Sequence, residues 1–386
     1  MPPPLVATLA DLVAINSVNA ALPGGPGEAE LAGYLAVRAR RSGAEVETFE
    51  VSPGRANVLG WLRRGGRPTL MFECHMDTVA LAPMPDALNP RIADGRLYGR
   101  GSADPKGSLA AFLTVFDAAA ADPAFPVDLC LAAVVDEEIT MTGSRALATR
   151  GVPVDAAVVG EPTRLQIIVA EKGALRWRVR TRGTATHSAT PERGHNAIYD
   201  MGPVIDALRD GLTARLLAPA HPMLGAPTWS VGTIRGGVAV NVVPDRCEIE
   251  VDRRLLPGDS SAEILADVDR GLARLRAVRP ALRVERDAPF VEIPPMETSP
   301  DAPIVRAAQS AVRAAGLDAA PTGVPYATDA AMLAGLARIP CVVLGPGDIA
   351  QAHTDNEWIA LDQLERAVGI YTDLCRAFGD LGRACN

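Results

Sequence analysis

The chain has 386 residues, 48% of them hydrophobic, and its 46 acidic and 38 basic side chains give a formal net charge of −8. This length and apolar content are sufficient for two domains with buried cores. The acidic balance excludes the electrostatic footprint of a nucleic-acid-binding or membrane-surface protein, and no apolar run approaches the roughly 20 residues of a membrane span.

The N-terminal segment and the cysteines indicate the compartment. The first 15 residues lack the basic region of a signal peptide, and their apolar run, interrupted by Asp11, is typical of a short amphipathic helix. The six cysteines contain no CxxC pair, and Cys74, Cys130 and Cys341 lie inside strand-like apolar runs. We therefore expect a cytoplasmic protein with reduced, buried cysteines.

The first 173 residues alternate helical and strand-like patterns. Residues 27–43 have apolar residues at helical spacing, and three strand-like runs follow them. A second helical pattern covers residues 106–121, and continuous apolar runs follow at 127–135 and 155–160. Strands that are apolar on both faces are typical of a largely parallel sheet covered by helices.

The pattern changes in the middle of the chain. Four strands there alternate apolar and polar residues, as strands with one buried face do, and two helical patterns are interleaved with them. The last hundred residues return to the earlier style. The sequence therefore predicts an α/β domain formed by residues 1–173 and 291–386, with a smaller α+β sandwich domain of residues 174–290 inserted in it.

Histidines and acidic residues follow several of the predicted parallel strands. His75, Glu161 and the pair Glu137 and Glu138 come directly after apolar strands, and His353 follows another strand after a short loop. Ligands of an open α/β sheet bind in the crevice outside the carboxyl ends of its strands. Since imidazoles and carboxylates together suit zinc or a similar divalent metal, the sequence predicts a metal site at this edge.

These positions also have simpler interpretations. Residues two apart on a strand project to the same side, so Asp77 can orient His75 towards a metal; a histidine bonded to a solvated acid gives the same spacing. The two adjacent glutamates point in opposite directions on an extended chain, so one can bind metal while the other carries a proton, although acidic strand ends are often only solvated. Asp104, followed by proline before a helix, fits an N-cap.

Eight motifs taken together resemble those of one enzyme family. They are HMDTV, DGRLYGRGSADPKG, DEE, GEPT, HSATPERGHNAI, GGVAVNVVP, DRRLLPG and GPGDIAQAHTDNEWI, in this order between about residues 8 and 375. The set is similar to that of the co-catalytic zinc aminoacylases and exopeptidases, which include acetylornithine deacetylase, succinyl-diaminopimelate desuccinylase, aminoacylases and glutamate carboxypeptidase. Within the family, GEPT and GPGDIAQAH are most similar to acetylornithine deacetylase.

The resemblance implies two divalent metal ions as cofactors. Zn²⁺ is the expected ion, and Co²⁺ or Mn²⁺ would accept the same types of ligand. The implied ligands are His75 and Glu161 for one ion, Glu138 and His353 for the other, and Asp104 as a bridge between both.

The resemblance also implies the catalytic residues. Asp77 would steady the first histidine ligand, and Glu137 would be the general base that passes a proton from water to the leaving amine. His187, from the inserted domain of a partner subunit, would stabilise the oxyanion; without the resemblance it reads as a loop histidine. The family's cis peptide bond would here join Asp104 to Pro105, in conflict with the N-cap interpretation.

Four further residues are candidates for binding substrate. Arg254, in the family's D-x-R-x-x-P pattern, would bind an α-carboxylate, with Asn241 donating nearby. Thr328 and Asp329 lie in a segment that resembles the side-chain pocket of relatives, where Asp329 would suit a cationic group such as that of ornithine. Strand-edge polarity for Asn241, and N-capping for the last two, are the alternatives.

The implied function is metal-dependent hydrolysis of the amide bond of an N-acyl-L-amino acid, as in acetylornithine deacetylase. A desuccinylase, a dipeptidase or a carboxypeptidase with the same chemistry is the alternative, and a non-catalytic zinc-stabilised protein that binds a small molecule is a more distant one. Because His187 would act in trans, the resemblance implies a homodimer joined through the inserted domain. The sequence does not specify the acyl group or the amino acid.

Overall fold

The computed structural model describes residues 3–216 and 220–384, which form two compact units. Unit 1 contains the chain up to Ala170, Met296–Gly323, and the chain from Thr328 onwards; unit 2 contains Glu171–Pro295 and Val324–Ala327. Unit 2 thus includes a short segment, Val324–Ala327, that lies far outside the predicted insertion of residues 174–290. Among the described residues, unit 1 has a large sheet and a small three-stranded sheet, and unit 2 has one sheet.

The helices and strands of the described residues are numbered in chain order. The α-helices are α1 (Pro4–Ala14), α2 (Ala29–Arg41), α3 (Lys106–Ala121), α4 (Thr142–Arg150), α5 (Ala197–Leu216), α6 (Ser261–Val278), α7 (Pro303–Ala314), α8 (Ala330–Ala337) and α9 (Leu361–Ala384). The strands are β1 (Glu45–Ser52), β2 (Arg55–Leu62), β3 (Thr69–His75), β4 (Arg91–Ala93), β5 (Arg96–Tyr98), β6 (Asp128–Val134), β7 (Ala156–Val159), β8 (Ile168–Glu171), β9 (Gly173–Arg182), β10 (Thr228–Gly236), β11 (Arg246–Leu255), β12 (Arg283–Arg286), β13 (Val291–Ile293), β14 (Met296–Glu297), β15 (Thr322–Val324), β16 (Cys341–Val343) and β17 (Trp358–Ala360). Two short 3₁₀ helices cover Pro191–Arg193 and Ile349–Gln351.

The large sheet of unit 1 has the strand order β1-β2-β6-β3-β7-β16-β8-β14, with β15 paired to β8. Its four central strands, β6, β3, β7 and β16, are parallel, whereas β1 and β2 on one side and β8 on the other pair antiparallel. β6 and β7 are buried along their whole length, and their sequences are apolar except for Asp128, the first residue of β6. The predicted parallel sheet with flanking helices is confirmed.

A cluster of three aromatic rings fixes the centre of unit 1. Phe72 of β3 stacks on Phe112 of α3 with ring centroids 4.6 Å apart, and Phe112 packs against Tyr371 of α9 at 4.7 Å. The Tyr371 hydroxyl donates a 2.8 Å hydrogen bond to the carbonyl of Leu344, just beyond β16. Burial of such a ring contributes about 1.5–3 kcal/mol. β3, which ends at the predicted metal site, is therefore packed firmly against α3 in the core.

The sheet of unit 2 is antiparallel and has the order β10-β11-β9-β12, with β13 paired to β9. One face packs on α5 and α6 around the fully buried Trp177. The other face carries cross-strand ion pairs between β9 and β11, which are Arg176–Asp252 at 2.6 Å, Arg178–Glu250 at 2.9 Å and Arg180–Glu248 at 2.6 Å. The alternation that predicted one buried face is confirmed.

The structure bears on the predictions about membrane-spanning helices and about the cysteines. No helix of the described residues has both the length and the apolar character needed to cross a membrane. Cys74, Cys130 and Cys341 are buried and are not part of disulfide bonds, as predicted; Cys385 lies outside the described residues. The cytoplasmic location itself stays a prediction.

Candidate metal centre

The five predicted metal ligands of unit 1 come together at the carboxyl ends of the parallel strands. His75 is the last residue of β3, Glu138 and Glu161 follow β6 and β7, Asp104 precedes α3, and His353 lies beyond β16. They form two groups in which all candidate ligand atoms lie within 4.8 Å of one another. The groups are His75 with Asp104 and Glu161, and Asp104 with Glu138 and His353.

The two oxygens of Asp104 face different histidines. His75 Nε2 lies 3.2 Å from Asp104 Oδ1 and 3.6 Å from Glu161 Oε1, and His353 Nε2 lies 3.4 Å from Asp104 Oδ2 and 3.0 Å from Glu138 Oε2. Tetrahedral Zn²⁺ with ligands at about 2.1 Å requires neighbouring ligand atoms about 3.4 Å apart. Donor types and spacings therefore fit two ions that share Asp104.

The site concentrates negative charge away from water. Burial and the nearby Asp104 carboxylate raise the pKa of Glu161 well above its usual value, and the same two causes raise the pKa of Glu138. For Asp104, burial is outweighed by hydrogen bonds to His353 and His75, which lower its pKa. Hydrogen bonds to Asp104 and Glu138 raise the pKa of His353 to about 10. This arrangement favours positive charge at its centre, as a divalent metal provides.

Asp77 contacts His75 and the backbone of both adjacent glutamates. His75 Nδ1 lies 2.9 Å from the backbone carbonyl of Asp77 and 3.5 Å from its carboxylate. The carboxylate also accepts hydrogen bonds from the backbone N–H groups of Glu137 and Glu138, both at 3.1 Å. The sequence predicted contact with His75 alone; the structure adds that Asp77 fixes the segment carrying both glutamates.

Glu137 lies beside the two groups but belongs to neither. Its Oε2 is 4.0 Å from His75 Nε2, and its side chain is largely buried. Burial raises the pKa of Glu137 well above the usual range, and the charge of Glu161 adds to the effect. The two adjacent glutamates thus have different surroundings, as their opposite directions on the chain predicted.

The sequence reasoning missed a buried polar network behind Glu137. The amide of Asn19 donates to Asp77 Oδ2 at 2.7 Å and to Asp136 Oδ1 at 3.0 Å, and Arg55 donates to Asp136 Oδ1 at 2.9 Å. These contacts hold Asp136 in a left-handed backbone conformation, with φ of 70°, directly before Glu137. Asp136 stood in the DEE motif, but its conformation and the distant Asn19 left no signal in the sequence.

The peptide bond between Asp104 and Pro105 is cis, as the resemblance implied. α3 begins at Lys106, with Pro105 at the N-cap position and no side-chain capping bond. The N-cap interpretation of Asp104 is therefore wrong, because its two carboxylate oxygens are directed at the histidines.

Three predicted residues lie in unit 2. His187 is exposed, and its Nδ1 accepts a 3.1 Å hydrogen bond from the backbone N–H of Ala189. Asn241 lies in the adjacent loop, where its backbone carbonyl accepts from the Ser188 N–H at 3.0 Å. Arg254 is partly exposed, and its Nε donates to Asp252 Oδ1 at 3.0 Å. Their roles towards substrate stay predictions.

Thr328 and Asp329 are both buried in unit 1. Thr328 Oγ1 accepts a 3.2 Å hydrogen bond from the Ala330 N–H at the start of α8, which supports its capping interpretation. The Asp329 carboxylate makes no capping bond; it accepts a hydrogen bond from Ser144. Asp329 is 1% exposed, and its contact with a cationic substrate group stays a prediction.

The chain is similar to known proteins over most of its length. A model described as Peptidase family M20/M25/M40 matches residues 71–377. Acetylornithine deacetylase from Aliivibrio fischeri is 33% identical over 358 residues, covering 90% of this chain and 91% of that protein. The Myxococcus xanthus acetylornithine deacetylase is 33% identical over 382 residues, covering 95% and 96%.

Solved structures share the fold. A tripeptidase from Staphylococcus aureus superposes with a TM-score of 0.79 at 22% identity and covers 98% of both chains. The aminopeptidase PepT from Bacillus cereus also gives 0.79 at 22% identity, covering 97% of this chain and 98% of that one.

We expect the metal-free protein to bind two Zn²⁺ ions per chain, because the structure contains two donor groups. His353→Ala should retain one tightly bound ion, since His75 and Glu161 are unchanged, whereas Asp104→Ala should weaken both sites. Calorimetric titration measures the number of bound Zn²⁺ ions and their affinity, and metal analysis after dialysis shows how many ions stay bound.

His195→Ala is the matched control for this titration, because His195 also contacts a carboxylate, that of Asp200 at 2.5 Å, but belongs to neither donor group. It should bind two ions. Equal loss of one ion from the His195 and His353 variants, or one ion in the parent, would contradict the assignment.

Proposed function

Because the chain belongs to peptidase family M20/M25/M40, it is a metallohydrolase acting on amide bonds, and we propose that it deacylates an N-acyl-L-amino acid. The products are a carboxylate and a free amino acid, as in acetylornithine deacetylase. The observation that carries the proposal is the pair of donor groups joined through Asp104, with Glu137 beside both and in neither. The place of action that we propose is the cytoplasm, in amino-acid biosynthesis.

The residues present fit a pair of divalent ions, Zn²⁺ or else Co²⁺ or Mn²⁺. His75 and Glu161 would hold one ion, Glu138 and His353 the other, and Asp104 both. When bound, such ions supply a water of lowered pKa and a polarised amide carbonyl. The protein keeps the ligands in place through the backbone N–H groups that Asp77 binds.

Glu137 is the proposed general base. It takes a proton from the attacking water at its carboxylate and delivers it to the nitrogen of the leaving amine, a role worth typically about 10²–10⁴-fold in rate. Three observations support it: the carboxylate is largely buried, it points to the same centre as His75, and its backbone is held by Asp77.

Recognition of the substrate carboxylate is assigned to Arg254, with Asn241 nearby. Asp252 binds Arg254 through Nε, so that the guanidinium is oriented while its terminal nitrogens can form a fork towards a carboxylate. The acetyl group rests on the similarity to acetylornithine deacetylases over most of the chain. Thr328 and Asp329 are the proposed contacts of the substrate side chain, where Asp329 would suit a cationic group such as that of ornithine.

A homodimer joined through unit 2 is part of the proposal. β10 is the terminal strand of the unit 2 sheet among the described residues, and Ile234 on it and Val238 just beyond it are exposed by 56% and 89%. An exposed apolar edge strand is a template for pairing with another chain, and a two-fold axis would close such a contact. His187 of the partner would then serve as oxyanion donor.

For the substrate, we expect N-acetyl-L-amino acids to exceed N-succinyl-L-diaminopimelate and dipeptides in kcat/KM by at least about tenfold, which corresponds to about 1.4 kcal/mol. Release of the free amine from a matched substrate panel measures this. N-acetyl-L-ornithine α-carboxamide is the control, since it lacks the carboxylate that Arg254 would bind. Its kcat/KM should be lower than that of N-acetyl-L-ornithine in the parent, and this difference should disappear in Arg254→Ala. A preference for succinyl or dipeptide substrates would replace the proposed substrate class by its alternative.

For the general base, Glu137→Gln should lower kcat by at least about 10²–10⁴-fold while two metal ions remain bound, because only the proton acceptor is lost. Glu30→Gln, an exposed change on α2, is the control and should keep full activity. Turnover within a few-fold of the parent would rule out Glu137 as the base.

For the oxyanion donor, equal amounts of the Glu137→Gln and His187→Ala chains should regain activity when subunits exchange. One site of each mixed dimer would combine an intact Glu137 with the intact His187 of the other chain. If His187 acts within its own chain, or if the protein is monomeric by light scattering, mixing restores nothing, and the trans assignment is wrong.

A further inference from the structure

A buried carboxylate outside the predicted site binds the loop that carries Asp104. Glu357 is 1% exposed and lies four residues after His353. Its Oε1 accepts hydrogen bonds from the backbone N–H groups of Ala103 at 3.0 Å and Asp104 at 3.2 Å. Its Oε2 accepts from the Gly101 N–H at 3.0 Å. The backbone of Asp104 is therefore fixed by a residue from the far end of the chain.

Arg100 completes this contact. Its guanidinium is buried and donates through Nη1 to Glu357 Oε2 at 2.7 Å. Nη2 donates to the backbone carbonyl of Thr354 at 2.9 Å, next to His353, and Nε donates to that of Ala80 at 3.0 Å, three residues after Asp77. One side chain thus joins the three segments that carry His75, Asp104 and His353.

We propose that Glu357 and Arg100 are positioning residues that set the spacing between Asp104 and the two histidines. The inference rests on the proposed metal-dependent function and extends it to residues that touch neither metal nor substrate. We refer to the pair as the Glu357–Arg100 clamp.

The loop needs an acceptor of this kind because it has no regular secondary structure. Buried backbone N–H groups require partners, and an ionised carboxylate accepts at about four lone-pair sites, as many as the donors that converge on Glu357. Gly101 adds a steric limit. Its φ is 81°, and a Cβ there would lie 2.8 Å from the side chain of Thr78. The loop is therefore restrained by its hydrogen bonds to Glu357 and by close packing against Thr78.

Glutamine at position 357 would remove half of these acceptors at nearly constant volume. Its amide NH₂ would face two N–H donors, so the loop would shift and the oxygens of Asp104 with it. We expect Glu357→Gln to weaken Zn²⁺ binding about 10–100-fold, the usual effect of losing a residue that orders metal ligands. Arg100→Lys should act in the same direction, because one ammonium cannot reach Glu357, Thr354 and Ala80 together.

The experiment titrates Zn²⁺ into the metal-free full-length variants and follows their folding by circular dichroism and urea denaturation. Asp128→Asn is the matched control. Asp128 is likewise buried and likewise accepts two backbone N–H bonds, from Arg64 at 2.9 Å and Gly65 at 3.1 Å, but it starts β6 at the opposite end of the sheet. This control should lose stability without losing metal affinity.

The outcomes separate the two proposals. The clamp is supported if folded Glu357→Gln or Arg100→Lys binds Zn²⁺ more weakly than the parent while Asp128→Asn keeps the parent's Zn²⁺ affinity. The clamp is overturned if the folded Glu357 and Arg100 variants bind Zn²⁺ with an affinity within about twofold of the parent's. In that case the proposed function still holds, provided that the parent binds two ions and hydrolyses its substrate. A parent that binds no metal overturns both. If Glu357→Gln does not fold, Arg100→Lys decides.

Discussion

Mutual repulsion among buried carboxylates is the constraint on which this structure depends. Asp104, Glu137 and Glu161 lie within 4.0 Å of His75, and the buried carboxylate of Glu138 meets Asp104 at His353. Burial raises the pKa of all three glutamates. Without a bound cation, the folded chain therefore disfavours their ionised forms. Buried charge is tolerated only when it is paired or coordinates a metal. The centre is therefore organised around cations, and the surrounding fold must keep like charges together.

The same kind of contact, a buried carboxylate that accepts backbone N–H groups, occurs twice around the centre. Asp77 accepts the backbone N–H groups of Glu137 and Glu138, and Glu357 accepts those of Ala103 and Asp104. In each case a buried carboxylate that does not face the centre fixes the backbone of a segment that does. These bonds fix the backbone from which each ligand side chain extends. The parallel strands bring the segments to one edge, and these carboxylates set their final geometry.

The sequence carried the parts of this arrangement that depend on local pattern. Two-sided burial of β6 and β7 reads directly as apolar runs, and ligands at strand ends follow from the parallel sheet. The left-handed backbone of Asp136, the burial of Asp329 and the acceptor role of Glu357 depend on partners far away in the chain. Glu357 and Asp104 are 253 residues apart, and spacing within a motif contains no information on such a pair. The cis bond after Asp104 came from the family resemblance, because local spacing alone favoured an N-cap.

The two donor groups differ in how firmly the fold holds them. His75 and Glu161 lie at strand ends and are almost fully buried, whereas the side chain of His353 is 53% exposed in a loop with a left-handed backbone, φ 60°. The first group is thus part of the sheet, and the second depends on Asp104, Glu138 and the loop that Glu357 and Arg100 hold. Since Asp104 offers one oxygen to each group, a shift of its loop disturbs both. The second group is affected further, because Arg100 binds the Thr354 carbonyl directly beside His353, whereas its bond to Ala80 is five residues from His75. A perturbation of the Glu357–Arg100 clamp therefore reaches the His353 group by two routes and the His75 group mainly by one.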